Sequence, residues 1–143
     1  LRGDNKMAVI KELIREEADG TISFGDYSLS EKAKKDGFSH DGDTYKIKTY
    51  KDITKLEKNE MFVYESVPGT CAEHLRVKED ELSFEVSGAD DAEITLGLEP
   101  ETEYEIYKED IASGTMKTNL GGKITLSVEI NDGQAVKIKV IKK

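Results

Sequence analysis

Period-two alternation constrains this chain more than any other feature. Ile124, Leu126, Val128 and Ile130 alternate with Lys123, Thr125, Ser127 and Glu129. Successive side chains of a strand point to opposite faces, so one face of this segment is apolar and the other polar. Asn131-Asp132-Gly133 follows, with residue types that accept positive φ, and then Val136, Ile138 and Val140 alternate with Lys137 and Lys139. The pattern predicts a hairpin.

The same period recurs upstream. Leu82, Phe84 and Val86 alternate with Glu81, Ser83 and Glu85; Ile94, Leu96 and Leu98 alternate with Glu93, Thr95 and Gly97; Tyr104 and Ile106 alternate with Glu103 and Glu105. Met116 sits in a short run bounded by Gly114 and Gly121-Gly122. Short strands at such spacing predict a sandwich or barrel. In the first half, Tyr45 and Ile47, then Phe62 and Tyr64, read as strands, with Asn59-Glu60 joining Ile53–Lys58 to Met61–Ser66 as a hairpin. Ser30 to Lys35, stopped by Gly37, reads as one capped helical turn. Residues 8–18 carry Val9, Ile10, Leu13 and Ile14 at helical spacing, yet Asp19-Gly20 before Ile22 and Phe24 looks like a hairpin turn. The demand of an otherwise β chain for strand partners favours strand there.

The predicted fold class is therefore all-β. An immunoglobulin-like sandwich in the C-terminal half packs with a smaller N-terminal hairpin unit. Ser66-Val67-Pro68-Gly69-Thr70 is the natural boundary, because Pro68 removes a backbone donor and Gly69 frees the chain. It divides the chain into an N-terminal β unit, 7–68, and a C-terminal sandwich, 69–143. Each part is marginal for an independent core, so the two are expected to pack together. Residues 1–6 read as a non-native leader with Met7 as the native start; the triplet Arg2-Gly3-Asp4, an integrin-recognition motif, reads as a chance match in it.

Composition removes several functions. With 30 acidic against 21 basic residues the net charge is −9, so the chain repels nucleic acid and anionic membrane surfaces as a whole. No apolar run approaches the roughly 20 residues of a membrane helix, and no secretory leader is seen. A single cysteine, Cys71, rules out an intrachain disulfide. These features predict a cytoplasmic protein.

Leu98-Glu99-Pro100-Glu101-Thr102-Glu103-Tyr104 resembles the Leu-x-Pro-x-Thr-x-Tyr pattern of fibronectin type III strands. The resemblance implies structural roles for Leu98, Pro100 and Tyr104, whose hydroxyl would bond back to backbone at a sheet corner. The chain lacks the Trp of that family. From Met7 onward the chain also resembles a group of short Firmicute proteins carried under the label "endosialidase". That resemblance is carried by Met7-Ala8-Val9-Ile10-Lys11-Glu12-Leu13-Ile14, by Ser23-Phe24-Gly25-Asp26-Tyr27, by residues 62–70 and by residues 116–123. It implies a small glycoside hydrolase, although none of these segments is a catalytic motif.

Chemistry-bearing groups are sparse. Cys71 with His74, oriented by Glu73 or Glu65, would be a thiolate nucleophile with its base; spacing of three along a strand argues instead for a packed cysteine. Cys71, His74 and His40 fall one short of a zinc set, and no metal or cofactor is expected. Asp41-Gly42-Asp43 and Asp90-Asp91 offer oxygen ligands to calcium but also suit turns. Carboxylate pairs for glycoside hydrolysis are available among the acids, most of which fit solvent faces. Tyr50 and Tyr107 fall on the polar phase of their strands and are the candidate ligand-binding residues, for a sugar or a protein. The expected function is a non-catalytic β-sandwich module that binds another protein or itself. Carbohydrate binding is the alternative, and hydrolysis comes third.

Overall fold

The computed structural model describes residues 8–131 and 133–143. Residues 1–6 with the Arg2-Gly3-Asp4 triplet, Met7 as the expected start, and Asp132 of the predicted turn lie outside the described residues. The described residues form strands and turns, without helix: β1 (Ile14–Glu16), β2 (Ile22–Phe24), β3 (Ala33–His40), β4 (Asp43–Tyr50), β5 (Ile53–Lys58), β6 (Met61–Val67), β7 (Cys71–Val77), β8 (Glu81–Ser87), β9 (Ala92–Gly97), β10 (Glu103–Lys108), β11 (Ile111–Lys117), β12 (Lys123–Val128) and β13 (Val136–Lys142). None of them is a helix long and apolar enough to cross a membrane.

Two antiparallel sheets pack face to face. One has the order β1-β2-β7-β8-β13-β10-β11, the other β12-β9-β6-β5-β4-β3. Each sheet draws strands from both sides of Pro68. The inward phases of both build one core, with Tyr64 at its centre. The Tyr64 ring meets Phe24 and Phe84 edge to face, centroids 5.1 and 5.4 Å apart, an arrangement that sets positive ring edges against negative faces.

Three hairpins turn on two residues with positive φ, the geometry whose twist matches paired strands. They are Asp41-Gly42 (54° and 84°), Asn59-Glu60 (52° and 67°) and Glu109-Asp110 (52° and 63°). The second of these is the predicted β5–β6 hairpin. Asp19-Gly20 likewise leads from β1 into the paired β2. In the ambiguous segment only Ile14–Glu16 is strand; Ile10 and Ile14 are buried, and Leu13 takes a φ of 74°.

Three expectations need correction. The predicted hairpin between the last two apolar runs does not form: β12 pairs with β9, whereas β13 inserts between β8 and β10 in the other sheet. Alternation specifies a strand and its buried face but not its partner. The chain changes sheets between Val128 and Val136. Second, the helical turn at Ser30–Lys35 is absent, and Ala33–His40 is an edge strand paired with β4. Tertiary pairing overrides the local helix preference of Ala and Lys. Third, Gly114 does not bound the run around Met116 but lies within β11.

At the β6–β7 crossing the Val67–Pro68 bond is cis. A fully buried hydroxyl network closes this crossing. Thr70 Oγ1 lies 2.6 Å from the Tyr64 hydroxyl and 2.7 Å from Ser66 Oγ. Thr70 N–H donates to Thr54 Oγ1 (3.1 Å), while Thr54 donates to the Thr70 carbonyl (2.9 Å). Thr49 Oγ1 lies 2.8 Å from Thr54 Oγ1 and accepts from the Asp26 N–H (2.9 Å). Gly25 and Gly69 let the backbones approach: a Cβ on either would run into the carbonyl oxygen of Thr70 or Tyr50 respectively.

Candidate functional site

The reactive side chains are engaged in holding the fold. Cys71 is 0% exposed and packs with Ile10 and Tyr27; burial pushes its thiol well above the ordinary range, the opposite of an activated nucleophile. His74 turns elsewhere. It sits at a β-bulge of β7 with φ 56°, its Nδ1 3.2 Å from Thr21 Oγ1 and 3.3 Å from Asp19 Oδ2.

Asp19, His74 and Thr21 have the composition of a nucleophile triad but not its wiring. Thr21 is buried, and its hydroxyl donates to Asp19 Oδ1 at 2.5 Å. A hydroxyl has one proton, so Thr21 can then only accept from His74 Nδ1–H, and no base faces the hydroxyl. The Thr21 hydroxyl, then its backbone N–H, hold the Asp19 carboxyl low. Arg76 lies 3.7 Å from Asp19 Oδ2. Two residues along, Ser23 donates to Glu17 and accepts the His74 backbone N–H at 3.0 Å. The Ser23 bond is the main reason the Glu17 carboxyl is also held low, with Arg15 Nε (3.2 Å) adding to it.

His40 approaches the same β1–β2 turn from the facing sheet, its Nδ1 2.7 Å from Glu16 Oε2 and its Nε2 3.1 Å from the Gly20 carbonyl. The two histidines thus clamp one turn from two sides. Cys71, His74 and His40 have separate partners, and no group of three potential metal ligands occurs among the described residues. Asp43 holds Asn59 Nδ2 at 2.9 Å across the ends of the β3–β4 and β5–β6 hairpins, and that bond lowers its carboxyl. Asp91 accepts the Ile130 N–H at 2.8 Å and Asp90 the Asp91 N–H at 3.2 Å. The Glu17, Asp19 and Asp43 carboxyls are each held low by hydrogen bonds, the opposite of what a general acid for glycoside hydrolysis needs.

The segment around Leu98, Pro100 and Tyr104 carries structure. Tyr104 is buried, and its hydroxyl accepts the Glu99 N–H at 3.2 Å. Leu98 N–H donates to Gly122 O, and Thr102 Oγ1 donates to Pro100 O at 2.8 Å. Thr118 completes the corner by donating to the Glu99 carbonyl.

Tyr50 and Tyr107 are half-buried on the outward phases of β4 and β10. The strands belong to different sheets, so the two tyrosines face opposite sides of the sandwich and share no platform.

Edges and outer faces are what the molecule presents to others. The four sheet edges differ in protection. β1 has three residues. β3 carries Lys34, Lys35 and Asp36 and is bulged before Phe38. β12 has Lys108 Nζ on its Ser127 carbonyl at 2.8 Å. β11 is exposed along all seven residues, carries no charge from Ile111 to Met116, and presents Ile111 at 69% exposure. Ser113 is an extra residue in its pairing with β10, with Gly114 at φ 118° beside it. The bulge bends this edge but does not charge it. Sequence reasoning missed β11 as a surface because it has no alternation; the signal was the uncharged run Ile111–Met116 in a chain so rich in charge.

Comparison of the chain with family models, with curated proteins and with solved structures gives no match.

Proposed function

We propose that this chain is a non-catalytic β-sandwich module that acts by binding another protein chain, a different one or a second copy, in the reducing cytoplasm that its lone buried thiol suits. One observation carries the reading: β11 is a fully exposed edge, uncharged from Ile111 to Met116, in a molecule whose other edges are short, charged or capped. Unpaired N–H and C=O groups on such an edge are a template for an added strand, and soluble proteins ordinarily blunt them with charge. The candidate catalytic groups support the same reading, since each is buried or holds a turn. A carbohydrate-binding role would fall to Tyr50 or Tyr107 singly.

The test compares the wild-type chain with Thr115→Glu/Met116→Lys, which charges the edge on both phases. Affinity capture from source lysate and light scattering of the purified chain are read together. A stoichiometric partner, or self-association, that the double variant loses supports the proposal. Contacts retained by the variant, or turnover of a glycoside panel by the wild type, contradict it.

A further inference from the structure

The outer face of β3, β4 and β5 is cationic, against the sign of the whole molecule. Register places Lys34 opposite Lys48 and Lys48 opposite Lys55, so three lysines form one cross-strand row, ended by Glu65 on β6. Lys46 lies two residues along β4 on the same face, opposite Glu57. Lys34, Lys46, Lys48 and Lys55 line one shallow depression of about 110 Å³ in which Glu57 is the single acid. Lys55 approaches Glu57 at 3.8 Å; Lys34, Lys46 and Lys48 have no ion-pair partner among the described residues. Like charges directly opposite on adjacent strands oppose pairing, so this row costs stability that 30 available acids could have removed. Tyr50 extends the face along β4 in the same phase.

We propose that this face is a docking site for an extended acidic segment of a partner protein, one with carboxylates at alternate positions. The inference rests on the reading of the chain as a protein-binding module but uses a different surface from β11. Alternate residues of a strand lie about 7 Å apart, so a Glu-x-Glu segment lying along β4 matches the spacing of Lys46 and Lys48, while Lys34 and Lys55 flank it at about 5 Å on either side. Tyr50 then meets the next outward residue of the segment. Duplex nucleic acid fits less well: long and stiff, at one charge per about 1.7 Å, it lies over surface of the −9 chain outside the patch, whereas a short acidic segment stays on the patch and is screened from charges beyond about 8 Å at physiological salt.

The test is fluorescence anisotropy with a labelled eight-residue peptide of alternating Glu and Thr, titrated with the full chain. Saturable binding at 20 mM salt, weakened about tenfold or more at 200 mM and lost in Lys46→Gln/Lys48→Gln, is the expected result. Lys48→Gln alone should melt at a higher temperature than wild type at low salt, because it relieves the lysine row. Absence of binding at low salt, equal binding by the variant, or tighter binding of a sulfated oligosaccharide or of single-stranded DNA of equal charge would each overturn the assignment. Loss of β11-dependent capture would leave these outcomes unaffected, so the two proposals fail separately.

Discussion

The Thr70 crossing and the β11 edge solve opposite problems. At the crossing, five hydroxyl-bearing residues, Thr49, Thr54, Tyr64, Ser66 and Thr70, are 0% exposed, and each is hydrogen-bonded. A buried hydroxyl left unmet costs about 1–3 kcal/mol, so this cluster tolerates one arrangement. At the edge, β11 hydrogen-bonds to β10 alone and buries none of its residues. The contrast separates the part of the molecule that fixes the fold from the part free to meet a partner.

Gly69→Ala should break the comparison at its strongest point. The added Cβ would meet the Tyr50 carbonyl oxygen, a backbone atom that cannot rotate away. Destabilisation of about 3–5 kcal/mol, or loss of folding, is expected, read by denaturant unfolding. Thr54→Val should cost less, about 2–3 kcal/mol, because it keeps the shape but leaves the Thr70 N–H and Thr49 without their partner. A cost near zero would show that the network does not hold the crossing.

A smaller effect sharpens the account of the β1–β2 turn. The Glu17 carboxyl lies below its ordinary value of 4.5, chiefly through Ser23. A depressed folded-state value contributes stability that is fully present above the unfolded value and is lost as pH falls through the folded one. Glu17→Gln should therefore be less stable than wild type at neutral pH, with the gap closing as pH drops below 4.5. Parallel stability curves across that range would remove the carboxylate from the account.

What was legible in the sequence follows the same division. β8, β9, β10, β12 and β13 were readable because each has one wet and one dry face. β3 and β11, exposed on most of their length, carry no such record. Partner choice escaped altogether: Asn131-Asp132-Gly133 signalled a hairpin that the sheets do not contain, while Glu109-Asp110 turns a real one with side chains that rarely mark it. The hydroxyl network was half visible. Thr49 and Thr54 sit in phase with Ile47 and Leu56, so polar groups on a buried face could have flagged it. Sequence reasoning singled out His74 but not its neighbours Thr21 and Asp19, because only geometry brings the three together and shows that Thr21 gives its proton to Asp19 rather than to His74. The lysine row was hidden for the same reason, since register is a property of pairing.

Native-state amide exchange tests the separation most directly. The account predicts that amides of β11, flanking its bulge, exchange through local opening at small free-energy cost, while the Thr70 and Asp26 amides of the crossing exchange only with global unfolding. Protection of β11 equal to that of the crossing would contradict it, and would place the edge inside the cooperative core.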